Sequence, residues 1–142
     1  MNGSRTVRRV SALAVSVVAV GGLALSTAGP AAAVDQDDGI LEAGEFGLYY
    51  NSGRGGCVFD LLAGDNDFAN NDFKDRPTYV NCPGEGQTVN DNTASYWNRD
   101  TTTWYVYTDS YHEGTRGDLP AGYIGDATST FKNEISSGYW YL

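Results

Sequence analysis

Histidine is nearly missing from this 142-residue chain, with His112 the one copy, and cysteine is limited to Cys57 and Cys82. No Cys/His spacing able to hold zinc can be assembled from that stock. A nucleophile paired with a histidine base would have to use His112, and no Ser or Cys motif stands beside it. Basic residues are scarce too: nine Lys and Arg face eighteen Asp and Glu, a formal charge of −9. Phosphate backbones and anionic membrane surfaces are gripped by clustered Lys and Arg, so neither nucleic acid nor a membrane surface is an expected partner. Also lacking is any sustained helical apolar period or unbroken run of helix formers, which points away from helical folds. Paired carboxylates for glycoside hydrolysis have eighteen candidates and no pair stands out. The chain reads as non-enzymatic.

One long apolar stretch exists, from Val10 to Ala28. Arg5, Arg8 and Arg9 precede it and Ala31-Ala32-Ala33 follow, the order of a cleaved secretory signal, so residues 1–33 are read as an export segment cut after Ala33. The remaining 109 residues suffice for one compact domain. They hold six basic and all eighteen acidic side chains, a formal −12. An exported chain with two cysteines favours a Cys57–Cys82 disulfide. Residues 34–45, acidic and glycine-containing, read as a loose leader.

The dominant signal is an internal repeat. Residues 46–64 and 104–122 match without a gap at an offset of 58: Tyr49, Ser52, Gly56, Asp60, Leu61, Ala63 and Gly64 recur as Tyr107, Ser110, Gly114, Asp118, Leu119, Ala121 and Gly122. Phe46 is answered by Trp104 and Leu48 by Val106. Seven identities in nineteen positions far exceed the roughly one expected at average composition. In each copy an aromatic, β-branched strand (46–50, 103–107) leads through a turn to a returning strand (57–61, 115–119). Gly56 and Gly114 are expected at positive φ in the fold-over. Alternation places Trp104 and Val106 inward, with Tyr105 and Tyr107 on the other face.

A second correspondence runs at an offset of 42, setting residues 90–95 against 132–137, each a polar loop leading into an aromatic strand (Tyr96-Trp97, Tyr139-Trp140). The change of offset leaves about 16 extra residues between Asp65 and Gln87, including Cys82. Within them the acidic run 65–72 reads as a solvated loop. The expected organisation is motif one at 46–98 and motif two at 101–142, all-β.

Two Tyr-x6-Gly hairpins, each followed by an Asn/Asp-rich loop ending in Ser, resemble the βγ-crystallin double Greek key. Leu48-Tyr-Tyr-Asn-Ser-Gly53, Val89-Asn-Asp-Asn-Thr-Ala-Ser-Tyr-Trp-Asn98 and Phe131-Lys-Asn-Glu-Ile-Ser-Ser137 are similar to small secreted proteins of the streptomycete metalloproteinase inhibitor type, over about 46–142. Where crystallin hairpins carry an aromatic residue two before the glycine, this chain has Arg54 and His112, with Tyr111 one position from the second.

The resemblance implies two chemistries. Crystallin loops supply hard oxygens to calcium. Here Asn90, Asp91 and Ser95 fit the first loop but Ala94 lacks a hydroxyl, while Asn133, Ser136 and Ser137 fit the second but Lys132 brings a cation. No cofactor is required, and calcium is the one these loops could take, although the same side chains could simply close turns. The inhibitor resemblance implies an extracellular protease as partner and a rigid exposed loop as the contact. The disulfide-tied stretch Arg54, Gly55, Gly56, Cys57, Val58, Phe59 is the candidate, although the repeat alignment sets Cys57 and Val58 at the start of a strand. A carbohydrate-binding module is the alternative class, since ten Tyr and three Trp could provide stacking platforms as readily as a core. The expected protein is a secreted monomer whose function lies where the copies differ, in the Cys82 insertion and the turn tied to it.

Overall fold

The aromatic and β-branched segments of both repeats form strands. β1 (Phe46–Asn51) passes through a 3-10 turn at Ser52–Arg54 into β2 (Gly55–Leu61), and β3 (Ser95–Asn98) closes the first repeat. The second holds β4 (Trp104–Tyr107), a 3-10 turn at Ser110–His112, β5 (Arg116–Leu119), β6 (Ile124–Asp126) and β7 (Ser137–Trp140). The computed structural model describes residues 33–76 and 78–140, and these are all-β, with helical backbone confined to single 3-10 turns. The expected export segment lies outside the described residues except for Ala33.

One sheet has the order β2-β1-β3-β6 and the other β5-β4-β7, every pairing antiparallel. β6 comes from the second repeat yet pairs with β3 of the first, Gly125 opposite Tyr96. The first repeat returns the exchange through a single bridge, in which Asp65 N–H donates to Gly138 C=O at 2.8 Å and Gly138 N–H to Asp65 C=O at 3.0 Å. Each repeat completes the sheet of the other.

The core lies between the sheets. Trp104 and Val106 face it as the alternation predicts, joined by Phe46, Leu48, Phe59, Leu61 and Leu119. Tyr107 is also buried, against expectation, because the His112 ring packs on it at 5.2 Å. Phe46 stacks on Trp104 at 4.8 Å and Trp104 on Trp140 at 5.1 Å. Phe46 and Trp104 occupy the same position in the two repeats, so each packs on its own counterpart. Loop backbones reciprocate likewise: Asp91 N–H donates to Ile135 C=O (3.1 Å) and Asn133 N–H to Thr93 C=O (2.8 Å), pairs related by the offset of 42.

The insertion adds to this core. Phe68, Phe73 and Cys82 are buried, with Phe68 edge-on to Phe59 and Phe73 edge-on to Tyr50. The acidic run 65–72 is a loop whose polar side chains are exposed or half-buried, but Phe68 is buried, so the segment is not free of the core. Its polar side chains close local turns, Asn71 Nδ2 donating to Asp65 at 2.7 Å and Ala69 N–H to Asp67 at 3.2 Å, which frees Phe68 to turn inward. Beyond it the chain runs beside β2, with Lys74 bridging Val58, and the Cys57–Cys82 disulfide fastens the two together.

Residues 34–45 are not loose either. Fully buried Asp60 accepts the N–H groups of Asp38 (3.2 Å) and Gly39 (2.8 Å), while its carbonyl accepts that of Asp37 (3.0 Å). Leu41 lies over Gly47 of β1, where an added Cβ would come within 2.8 Å of its side chain. A carboxylate removed from water requires donors, and the leader backbone supplies them.

Two acids are held there at a cost. Burial raises Glu45 to about 7, opposed by the Glu42 N–H bonded to it and reinforced by the charges of Asp60 and Glu42. Burial likewise raises Asp60 to about 6, against the N–H bonds from Asp38 and Gly39. A folded-state pKa above the ordinary one means that the fold prefers the protonated acid. This contribution is complete below the ordinary carboxylate range and is lost as pH rises through about 6 and 7. The melting temperature should accordingly fall between about pH 5 and pH 8, and Glu45→Gln should flatten that slope and melt above the parent at the upper end. A parent that melts higher at pH 8, or a variant with an unchanged slope, would refute this.

Candidate functional site

Both fold-over turns are built to one plan. Gly56 and Gly114 have φ of 77° and 74°, and a Cβ would approach Pro83 O to 2.6 Å or Thr108 Oγ1 to 2.3 Å, so only glycine fits. The residues before them are left-handed in matching pairs: Gly53 (66°) with Tyr111 (59°), Arg54 (60°) with His112 (64°). Buried serines clamp these turns. Ser95 Oγ donates to Asn51 C=O at 2.6 Å and accepts Arg54 N–H at 2.9 Å, while Ser137 Oγ donates to Asp109 C=O at 2.7 Å and accepts His112 N–H at 3.1 Å. The final serine of each polar loop is thus committed to backbone. Arg54 and His112 take the place of the crystallin aromatic residue: the guanidinium lies 4.8 Å from the Trp97 ring and the imidazole 5.0 Å from Tyr139. Tyr111 does not share this task, being 69% exposed.

The other calcium candidates divide between two places. Asn133 and Lys132 line a hollow of about 410 Å³ with Tyr50, Asn51, Ser52, Asn92 and Ala94. Lys132 Nζ reaches Ser52 Oγ at 3.2 Å, so an ammonium occupies the approach that a metal would need. At the other place the two loops meet: Ser136 Oγ donates to Thr108 O at 2.9 Å and to Asp91 Oδ1 at 3.3 Å, and Asn90 Nδ2 donates to Asp91 Oδ2 at 2.8 Å. Three oxygens from different segments converge there. Thr108 joins through a carbonyl, which leaves no mark in a sequence.

The stretch 54–59 splits in two. Arg54 is exposed and Gly55 and Gly56 are half-buried, but Cys57, Val58 and Phe59 are buried within β2, where Val58 pairs with Tyr49 and Phe59 with Leu48. The Cys57–Val58 peptide lies in a ladder and cannot enter a cleft. Across the disulfide, Cys82 ends an exposed excursion carrying Tyr79 and Val80. Asp75 accepts the N–H groups of Asn81 (2.7 Å) and Cys82 (2.9 Å), the first of which chiefly holds its carboxyl below the usual range. The sequence marks the insertion but not its tip, for which the available signal was the apolar pair Tyr79-Val80 beginning five residues after Lys74.

Aromatic side chains serve mainly as structure. Trp104 is enclosed between Phe46 and Trp140, and Trp97 is flanked by Arg54 and Arg99 at 4.8 and 4.9 Å. Tyr49, Tyr96 and Tyr107 are buried. Tyr79, Tyr111 and Tyr123 are the exposed tyrosines among the described residues.

Two antiparallel sheets exchanging strands, with serine-clamped Tyr-x6-Gly turns, define the βγ-crystallin fold. Among solved structures, the chain is similar to one from work on the evolution of the eye lens βγ-crystallin domain fold (19% identity, TM-score 0.54, covering 72% of this chain and 91% of that one). It is also similar to a βγ-crystallin from an archaeon (22%, TM-score 0.51, 70% and 100%) and to the N-terminal domain of protein S (15%, TM-score 0.50, 68% and 94%). These identities establish the fold alone. The model of peptidase inhibitor family I36 matches residues 41–118, more than half of the sequence, and the chain belongs to that family. Its members are inhibitors, so the protein is not an enzyme. No curated protein matches the chain.

Proposed function

We propose that the protein is exported and inhibits an extracellular protease, with a thermolysin-type metalloproteinase as the target class. The family match carries this reading, because residues 41–118 include the disulfide and the whole insertion. The signal-like start and the Cys57–Cys82 bond favour an oxidising extracellular setting. A binder held rigid before contact loses little freedom on docking, and the braced turns supply that rigidity. Titration of thermolysin and, separately, subtilisin with the secreted form tests it: stoichiometric loss of metalloproteinase activity is expected, and full activity of both enzymes at excess protein would refute it.

The convergence of Asp91, Ser136 and the Thr108 carbonyl favours a second, compatible reading, a single calcium site of hard oxygens. Millimolar calcium should then raise the melting temperature, and Asp91→Ala should abolish the rise, because a ligand of the native state alone must stabilise it. An unchanged parent melting temperature removes this reading.

A further inference from the structure

We infer that the protease-contacting element is the tip of the insertion, Thr78 to Asn81, with Val80 entering the apolar subsite beyond the scissile position of a metalloproteinase. This rests on the inhibitor reading above. Val80 is 64% exposed and its neighbour Tyr79 is 39% exposed. Single exposed apolar side chains are ordinary and select nothing. What selects this pair is the way it is mounted.

The stem is fixed on both sides. Phe73 N–H donates to Gln87 C=O and Gly86 N–H to Phe73 C=O, both at 2.9 Å, and Lys74 bridges Val58 of β2. On the return side, Cys82 is bonded to Cys57, and Cys57 N–H donates to Pro83 C=O at 2.9 Å. The tip closes on itself as well. Tyr79 N–H donates to Arg76 C=O at 2.9 Å, the Arg76 guanidinium lies 5.1 Å from the Tyr79 ring, and Asp75 caps Asn81 and Cys82. Asn81, at φ 57°, turns the chain sharply just after Val80. A loop so tied cannot be drawn through a cleft, and little of its freedom is left to lose on binding.

Among the described residues one other adjacent apolar pair is exposed, Tyr123 and Ile124, the latter at 50%. Ile124 lies within β6, paired with Trp97, and is not carried on a projecting loop tip. The tip of the other candidate, Arg54, is polar and packs on Trp97. Among the described residues Tyr111 is also exposed on a braced turn, at 69%, but that turn recurs in both repeats, whereas the 78–81 tip joins projection, an apolar side chain and bracing on both sides outside the repeated plan. It also lies in the segment that the second repeat lacks.

The test measures thermolysin inhibition by the secreted parent, Val80→Asp, Tyr79→Ala, Ile124→Asp and Arg54→Ala, with a melting curve for each. Val80→Asp should weaken inhibition about 30-fold or more, the scale of a central interface residue, while melting as the parent does. Ile124→Asp and Arg54→Ala should stay within about twofold. A parent that inhibits and a Val80→Asp variant that inhibits equally would overturn the tip assignment while leaving the inhibitor function standing. Loss on Arg54→Ala instead would move the contact to the fold-over turn and overturn it also. A parent that inhibits no protease would overturn both.

Discussion

Trp104→Ala should destabilise the protein by about 3–5 kcal/mol, a large part of what a domain of this size possesses. The indole is fully buried, stacked between Phe46 and Trp140, with its N–H donating to Asp100 at 3.0 Å. Truncation removes the largest enclosed side chain of the core and leaves a cavity between two rings fixed by separate strands, which limits collapse into it. The Asp100 carboxylate loses its donor in the same step. Urea unfolding followed by intrinsic fluorescence measures the effect, with Trp97 and Trp140 still reporting. A loss below about 1 kcal/mol would show that the Phe46–Trp104 contact is not the centre of the core.

Removing the disulfide as Cys57→Ala with Cys82→Ala should cost about 3 kcal/mol if the bond acts by restricting the unfolded chain, given its separation of 25 residues. The structure adds a local effect. The tie holds the insertion against β2, so its loss should loosen the segment 71–89 before the rest opens. Amide exchange should then quicken most at Phe73, Gly86 and Gln87, whose hydrogen bonds lie within the insertion, and at Val89, bonded to Asn71 of the insertion, and less in β4. Uniform quickening would instead place the whole effect in the unfolded chain. Protease inhibition should weaken in parallel, since a slack stem no longer presets the tip.

How much of this was legible in the sequence differs from element to element. The hairpins were, because Gly56 and Gly114 stand at backbone positions that other residues resist, and the aromatic strands repeat in register. The disulfide followed from the count of cysteines and the export signal. The leader was misread because an acidic, glycine-containing segment looks unpartnered until Asp60 is seen beneath it. The acidic run 65–72 is a largely solvated loop, as its composition suggests, and what composition does not show is that Phe68 turns inward. Among the calcium candidates, Ser95 and Ser137 carry the expected residue type yet spend it on carbonyls and N–H groups across the turn. The Thr108 carbonyl beside Ser136 is a backbone group, and a sequence does not mark it. Of the candidate inhibitory stretch, Cys57 to Phe59 lie buried in β2, where the strand pairing that the repeat alignment indicated takes them out of the turn.

The exchange of β6 for the Asp65 bridge bears on cooperativity. A repeat of this kind invites the idea of two modules that could melt one after the other. Here each half holds the edge that the other lacks, and their centres are a residue and its own counterpart, Phe46 against Trp104. The halves are therefore separable as text and inseparable as matter, and damage to either is felt at once by both.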